Sequence, residues 1–109
     1  MGERVEVLRW GYRKGRDPRI TTHLGLVARA LGADAFTLAG EDDKELLENL
    51  HSVSTRFGGE IETNHVSGLR YLRKHVESGG VAVHLTMYGQ PYRQAIPKIR
   101  RDRPLLIVV

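Results

Sequence analysis

Short apolar segments alternate with stretches of helical periodicity along the whole 109-residue chain, at intervals of about 20 to 25 residues. The strands are predicted at residues 5–10, 35–38, 60–66, 81–87 and 104–109, of which 60–66 alternates between polar and apolar residues. Strands that are joined by helices, rather than by tight turns, are typical of βαβ units, in which neighbouring strands run parallel. The alternation therefore predicts an α/β fold with a parallel, doubly wound sheet. A chain of this length is typical of one domain, which we assign to residues 1–109.

Polar residues ahead of the periodic stretches predict where three of the helices begin. The first helix is expected to be capped by Thr21 or Thr22 and the second by Asp42 or Asp43. The third is expected to start at Ser67. The residues expected to face inward are Leu24, Val27, Ala28 and Leu31 in the first helix, Leu46, Leu47, Leu50, Val53 and Phe57 in the second, and Leu69, Leu72 and Val76 in the third.

The C-terminal part of the sequence reads as a short helix followed by a buried strand. A fourth helix over residues 92–101 is expected to be shortened or kinked by Pro97. The unbroken apolar run at residues 105–109 is typical of a central parallel strand that is covered on both faces. Ligands of such sheets bind beyond the carboxyl ends of the strands, in the connections that follow them. We therefore expect the natural chain to continue past Val109.

The composition excludes several classes of protein. The sequence has no cysteine, which excludes a disulfide scaffold, a cysteine-based zinc site and a thiol nucleophile. Its five histidines fall on different elements without metal-ligand spacing, so no metal is expected. The dinucleotide and P-loop glycine patterns are also absent. No apolar run approaches the roughly 18 residues of a membrane span, so we expect a cytoplasmic protein without a membrane partner.

The net charge of +4 is distributed unevenly along the chain. Residues 4–29 carry seven basic side chains against two acidic ones, whereas residues 30–69 carry eight acidic side chains against two basic ones. Basic residues dominate again at residues 93–109. A basic surface of this kind suits a polyanion such as RNA, because phosphate neutralisation supplies much of the affinity. Arginine prevails over lysine in the first segment, and its planar fork matches phosphate geometry.

The first candidate site is the basic segment that follows the first strand. Arg19, Thr22 and His23 are expected to cluster where the strand carboxyl ends and a helix start converge, which is a suitable place for a phosphate. Arg29 follows His23 by six residues and is expected on roughly the same helix face. The alternative, in which Arg29 is an ordinary exposed residue and Thr22 a plain cap, is about equally consistent with the pattern. The basic segment predicts RNA contacts by Arg9, Arg13, Lys14, Arg16, Arg19 and Thr22.

The second candidate site is the segment HLTMYGQP at residues 84–91, at the end of the fourth strand. An aromatic ring, a methionine, a hydroxyl and a glycine–proline turn could form a mixed apolar and polar pocket wall. Backbone groups there could bind the edge of an adenine while Leu85 and Met87 pack on its face. The pattern by itself favours the alternative, a core strand that runs into an ordinary turn.

These two segments together resemble the archaeal tRNA cytidine-56 2′-O-methyltransferases of the SPOUT superfamily. The resemblance is carried by VLRWGYR at residues 7–13, RDPRITTH at 16–23, ARALGA at 28–33 and VHLTMYG at 83–89. It implies a parallel α/β fold that ends in a trefoil knot, a homodimer, S-adenosyl-L-methionine as methyl donor, and tRNA as substrate. No segment for the knot follows Val109 in this sequence, which makes the chain comparable to the N-terminal portion of such an enzyme.

The resemblance also implies roles for individual residues. An early arginine would help activate the ribose hydroxyl, and Arg29 and Arg19 both match this position. Because arginine is almost always protonated, we assign it electrostatic stabilisation first, with His23 as an alternative base. The cofactor would be held by the segment Leu85, Thr86, Met87, Tyr88 and Gly89.

Two other interpretations remain open at this stage. The chain could be a non-catalytic basic α/β module that binds structured RNA, or a small α/β interaction domain that does not bind nucleic acid. Binding of S-adenosylmethionine would separate the enzyme from the first alternative, and binding of tRNA at low salt would exclude the second.

Overall fold

The computed structural model describes residues 4–13, 15–16, 18–56, 61–85, 89, 91–95, 97, 99 and 102–109. Within these ranges the strands are β1 (Val5–Tyr12), β2 (Ala35–Gly40), β3 (Glu62–Val66), β4 (Val81–His84) and β5 (Leu105–Val108). The helices are α1 (Pro18–Ala30), α2 (Lys44–Arg56), α3 (Gly68–Glu77) and the short α4 (Tyr92–Ala95).

The strands form one sheet in the order β3-β2-β1-β5-β4, and every neighbouring pair is parallel. β1 is central, because it pairs with β2 on one side and with β5 on the other. Helices α1 and α2 pack on one face of the sheet, whereas Tyr71 and Leu72 of α3 pack on the other. The predicted parallel, doubly wound α/β architecture is therefore confirmed. The carboxyl ends of all five strands lie at one edge, where β1 leads into the basic segment.

The larger core lies between the sheet and helices α1 and α2. Apolar side chains that alternate along β1 and β2 meet those of both helices there, and full burial of such a side chain contributes about 1.5–3 kcal/mol. The buried residues of this core are Val7, Tyr12, Ala28, Phe36, Leu38, Leu46, Leu47, Leu50 and Ile61. The opposite core, under α3, is smaller and contains Leu8, Ala39, Leu106 and Val108.

A polar cluster interrupts the α3 face of the sheet. The carboxylate of Glu6 is buried and accepts hydrogen bonds from the Thr37 hydroxyl and from the Tyr71 hydroxyl, the latter at 2.7 and 2.6 Å to its two oxygens. Burial, followed by this hydrogen bond to Glu6, raises the pKa of Tyr71 well above its ordinary value. Arg4 forms an ion pair with Glu62 beside the cluster. The cluster holds a carboxylate inside the sheet because two hydroxyl donors satisfy it.

The start of α1 differs from the sequence-based expectation of a cap at Thr21 or Thr22. The helix begins at Pro18, and Thr21 lies inside its first turns, fully buried. Proline is favoured at the first helical position because its missing N–H has no intrahelical partner there. The expected threonine cap is therefore wrong. Thr21 instead accepts a hydrogen bond from Arg9 at 3.3 Å.

The start of α2 agrees with the sequence and resolves its ambiguity. The carboxylate of Asp43 is buried and accepts a hydrogen bond from the backbone N–H of Leu46 at 3.1 Å, so Asp43 is the capping residue. Its other oxygen accepts a hydrogen bond from the Tyr12 hydroxyl at 2.6 Å. This aspartate therefore joins the end of β1 to the start of α2.

The inward faces of α1 and α3 were predicted only in part. In α1, Leu24 and Ala28 pack in the core as expected, but Val27, and Leu31 directly after the helix, are exposed, so their inward assignment is wrong.

In α3, Leu72 faces the sheet as expected. Leu69 and Val76 are exposed, and Leu72 and Tyr71 are the residues that pack on the sheet. The helix is rotated from the expected stripe because the Tyr71 hydroxyl reaches Glu6.

Residues 57–60, including Phe57, lie outside the described residues, as do residues 96, 98, 100 and 101 of the expected fourth helix. No helix in the described ranges is both long and apolar enough to cross a lipid bilayer.

Candidate functional site

A glycine bulge shapes the carboxyl end of β1. Gly11 has a φ of 68°, and the pairing of β1 with β2 shifts register between Trp10 and Tyr12. Residues two apart normally face the same side of a strand, but the extra residue turns Tyr12 into the α1–α2 core while Trp10 stays on the α3 face. The sequence predicted that the strand ends at residue 10, so both the bulge and the buried role of Tyr12 were missed.

Arg9 ties α1 to the end of β5. Its guanidinium donates to the Thr21 hydroxyl at 3.3 Å and to the carbonyl oxygen of Val109 at 3.4 Å. The backbone is paired at the same point, since the N–H of Trp10 donates to the Val109 carbonyl at 2.9 Å. Arg9 is only half exposed. Its position thus supports the geometry of the carboxyl edge, and direct contact with RNA remains a prediction for this residue.

The other basic side chains of this segment lie at the same edge and reach solvent. Arg13 and Arg16 are exposed and belong to one turn, in which the N–H of Arg16 donates to the Arg13 carbonyl at 3.0 Å. Arg19 and His23 are exposed one turn apart near the start of α1, and Thr22 is half-buried between them. The expected grouping of Arg19, Thr22 and His23 at the start of a helix is therefore present. Lys14 lies outside the described residues.

Arg29 does not join this group within one chain. Helix α1 is continuous from Pro18 to Ala30, and six residues at 100° each turn Arg29 away from the face of His23. The expectation of a shared face is therefore wrong. Ten residues also separate Arg29 from Arg19, which is about 15 Å along the helix.

The far end of α1 lies at the amino edge of the sheet. The N–H of Asp34, just after this end, donates to the carbonyl oxygen of Val5 at 2.7 Å. Because Val5 is the first residue of β1, Arg29 lies at the edge opposite to the basic segment. The two arginines that match the activating position thus occupy opposite ends of one helix.

The end of β4 reaches the same carboxyl edge as the basic segment. The N–H of Leu85 donates to the carbonyl oxygen of Val108 at 2.9 Å, so β4 and β5 stay paired to their ends. Leu85 and Gly89 are exposed. Thr86, Met87 and Tyr88 lie outside the described residues. The segment predicted to hold a cofactor therefore leaves the sheet at this edge.

An apolar cavity of about 280 Å³ lies beside this segment, on the α3 face. It is lined by Trp10, Leu72, Ala82, His84 and Val108, which come from α3 and from the three strands β1, β4 and β5. Trp10 is 39% exposed and its ring packs near Gly68, where an added Cβ would lie 3.2 Å from two ring carbons. The cavity offers apolar surface for a flat ring at the edge where parallel sheets bind ligands.

Sequence reasoning missed Trp10 and Leu72 as cavity residues. A tryptophan at the carboxyl end of a strand was the available signal, but its facing depended on the Gly11 bulge. Leu72 was expected to face the core, and it does so at the rim of the cavity. The cavity is therefore a product of tertiary packing rather than of any one motif.

Two solved structures define the class of fold. The chain superposes on an RNA 2′-O ribose methyltransferase with a TM-score of 0.67 and 20% identity, over 99% of this chain and 40% of that one. It superposes on an rRNA methyltransferase from Sinorhizobium meliloti, solved with AdoMet bound, with a TM-score of 0.65 and 21% identity over the same shares. At these identities the likeness concerns the fold alone. The chain has the parallel α/β fold of the corresponding parts of these two RNA methyltransferases.

The sequence comparisons are more specific. Residues 57–109 match the model of the family described as tRNA ribose 2′-O-methyltransferase, aTrm56. The chain is 47% identical to the tRNA (cytidine(56)-2′-O)-methyltransferase of Hyperthermus butylicus, over 98% of the chain and 58% of the relative. It is 41% identical to that of Thermococcus kodakarensis, over 100% of the chain and 63% of the relative. The chain thus belongs to the tRNA (cytidine(56)-2′-O)-methyltransferase family, and it spans about three-fifths of the length of these relatives.

Proposed function

We propose that this chain is part of a cytoplasmic tRNA methyltransferase that uses S-adenosyl-L-methionine to methylate the ribose 2′-oxygen of cytidine 56 in the T-loop. The observation that carries the proposal is the identity of 38–47% with curated relatives of that name across nearly the whole chain. The relatives named above are archaeal, which supports an archaeal origin.

The carboxyl edge of the sheet supports a site for the cofactor. The cavity between Trp10 and His84 is apolar and lies beside the end of β4, directly before Leu85, which fits a flat purine ring. Leu85 and Gly89 would hold the cofactor, together with Thr86, Met87 and Tyr88 as the sequence predicts. When bound, S-adenosyl-L-methionine supplies a methyl group on a sulfonium, which leaves as a neutral thioether.

The basic segment at the same edge supports binding of the RNA. Arg16 and Arg19 are exposed near the N-terminus of α1, where the helix dipole also favours a phosphate. A carboxylate would stabilise the first turn of this helix, but the first turn contains no acidic residue and carries Arg19 instead. A cation at this position is better explained by a phosphate ligand than by helix stability. Arg13, Lys14 and Thr22 would extend the same contact surface, with Arg9 behind it.

The reaction joins the ribose oxygen to the methyl carbon while the hydroxyl proton passes to a base. A ribose hydroxyl is a weak acid, so a fixed cation beside the oxygen would stabilise the negative charge that develops during attack. Arg19 can supply that charge within one chain, and His23, one turn further along α1, can accept the proton. Arg29 lies at the other edge of the sheet and would reach a site only on a second copy of the chain.

An apolar stripe along α1 supports a homodimer. Ile20 and Val27 of α1, and Leu31 directly after it, are 68%, 40% and 83% exposed and follow the spacing of one helix face. Such a stripe on a surface helix is typical of an interface. A dimer formed through α1 would also bring the Arg29 end of the helix to a neighbouring copy.

The proposed activity is tested by transfer of a tritiated methyl group from S-adenosylmethionine to unmodified tRNA. We expect incorporation into wild-type tRNA and none into a tRNA that carries 2′-deoxycytidine at position 56, since the accepting oxygen is missing. Equal labelling of both RNAs would contradict the assigned position. Binding of tRNA without any calorimetric binding of S-adenosylmethionine would instead favour the non-catalytic RNA-binding module.

A further inference from the structure

The outer face of α3 carries a groove that the site described above does not use. It has a volume of about 600 Å³ and is lined by Leu69, Arg70, Arg73, Lys74 and Glu77, all of them exposed. We call these five residues the α3 basic groove. The three cations lie three and four residues apart, so they project from one side of the helix. The groove lies on the face of the sheet opposite to α1.

The stability of α3 does not explain this arrangement. The helix dipole favours carboxylates in the first turn, but the first turn of α3 has no acidic residue and contains Arg70. Arg70 also lies three residues from Arg73 and four from Lys74, and like charges at these spacings destabilise a helix. Glu77 offsets part of this repulsion from the last turn. Within the described ranges, none of the three cations lies within ion-pair distance of a carboxylate.

The packing of α3 leaves the groove open. No residue of the helix is fully buried, and its contact with the sheet is made by the other side, through Tyr71 and Leu72. Beyond the C-terminal end of the helix, Arg103 donates to the carbonyl oxygen of Gly79 at 3.2 Å and adds another exposed cation. Basic side chains therefore continue from the first turn of α3 to beyond its end.

We propose that the α3 basic groove is a second RNA-binding surface, which contacts backbone phosphates of the tRNA away from the methylated nucleotide. This inference rests on the proposed function, because that function makes tRNA the substrate and therefore the polyanion that would bind here. The three adjacent cations have no carboxylate within ion-pair distance in the part of the chain that the structure describes. When such cations bind phosphates, counterions are released from the RNA, which favours binding without reading the sequence. Leu69, which also lines the groove and is 60% exposed, adds apolar surface for a sugar or a base.

The salt dependence of tRNA binding tests this proposal. The variants are Arg73→Gln and the triple variant Arg70→Gln, Arg73→Gln, Lys74→Gln, and Lys44→Gln is the matched control at an exposed lysine of α2. Affinity for tRNA is measured by fluorescence anisotropy between 50 and 300 mM salt. Each phosphate contact is expected to contribute ~0.7–0.9 to the slope of log K plotted against log salt concentration. We expect Arg73→Gln to lower the slope by about one such contact and the triple variant by about two to three.

Other measurements separate the possible outcomes. We expect Lys44→Gln to melt as the wild type does, and the groove variants to melt at the same temperature or slightly higher, because they remove like-charge repulsion in α3. All variants should bind S-adenosylmethionine equally, since the groove lies on exposed side chains. Slopes of Arg73→Gln and the triple variant equal to those of the wild type and Lys44→Gln would overturn the second surface and leave the proposed function intact. Polyglutamate serves as a probe for acidic protein partners. If the triple variant lost binding to polyglutamate but kept the affinity and salt slope of the wild type for tRNA, the proposal would be overturned in favour of an acidic protein partner. A wild-type protein that binds no tRNA at 50 mM salt would overturn the proposed function itself.

Discussion

Glu6 carries a buried carboxylate on a parallel sheet, and hydrogen bonds from the Thr37 and Tyr71 hydroxyl groups stabilise it there. If Tyr71 is replaced by Phe, Glu6 loses the donor at 2.6–2.7 Å and keeps Thr37. We expect the free energy of unfolding to fall by about 1–3 kcal/mol near neutral pH, the usual cost of an underbonded buried acceptor. Urea unfolding of the wild type and of Tyr71→Phe measures this difference.

The same residue predicts a pH dependence. Burial and the hydrogen bond to Glu6 raise the pKa of Tyr71 in the folded state, whereas the unfolded tyrosine titrates near 10.0. A raised folded pKa gives stability that is complete below the unfolded value and is lost as the pH rises above it. The advantage of the wild type over Tyr71→Phe should therefore be constant up to about pH 9 and shrink above pH 10, by at most about 1.4 kcal/mol per pH unit.

A non-titrating control distinguishes this effect from general alkaline unfolding. Thr37→Val also removes a donor to Glu6, but its cost should not depend on pH between 8 and 11 beyond the dependence that the wild type shows. If the difference between the wild type and Tyr71→Phe were constant up to pH 11.5, the Tyr71 hydroxyl would not be held protonated by the cluster.

At the scale of the elements, helices α1 and α2 approach each other closely at Gly25. A Cβ added to Gly25 would lie 2.4 and 2.6 Å from the two methyl groups of the fully buried Leu50. Alanine should add about 1 kcal/mol of helix propensity, but overpacking a core costs about 1–3 kcal/mol. We therefore expect Gly25→Ala to destabilise the protein by up to about 2 kcal/mol, as measured by urea unfolding.

A double-mutant cycle makes the cause explicit. Leu50→Ala by itself should cost about 2–5 kcal/mol, and it removes the methyl groups that Gly25→Ala would meet. In the Leu50→Ala background, Gly25→Ala should then stabilise the protein by about 1 kcal/mol. If Gly25→Ala were stabilising in the wild type as well, the close approach of the two helices would not constrain this position.

The elements also show what the sequence could and could not predict. The alternation of strands and helices is a local property, so the parallel sheet could be predicted, and the cap of α2 could be narrowed to Asp42 or Asp43. The rotation of α3 could not, because it depends on a hydrogen bond between Tyr71 and Glu6, which are 65 residues apart. The cavity beside Trp10 depends on a bulge at Gly11 and on strand order, which no local pattern encodes.

At the scale of the whole molecule, the predicted catalytic residues lie at two opposite edges of the sheet. Arg19 and His23 lie at the carboxyl edge with Leu85, and Arg29 lies at the amino edge. If all three act in one site, Arg29 must come from a second copy of the chain. This requirement links the catalytic assignment to the homodimer that the exposed stripe on α1 supports.

Mixing two inactive variants tests that link. Arg29→Ala and Arg19→Ala should each abolish methyl transfer in their own dimers. A mixed dimer would contain one site with Arg19 from one copy and Arg29 from the other, so an equal mixture should recover up to about a quarter of the wild-type activity for a symmetric dimer. Leu31→Glu in both variants places a charge in the α1 stripe, and it should prevent the recovery and halve the mass measured by light scattering. Arg19 and Arg29 lie at opposite edges of the sheet, so one chain cannot bring both to a single site. If Arg29→Ala kept its activity in its own dimers, Arg29 would not belong to the site and Arg19 would be the activating residue.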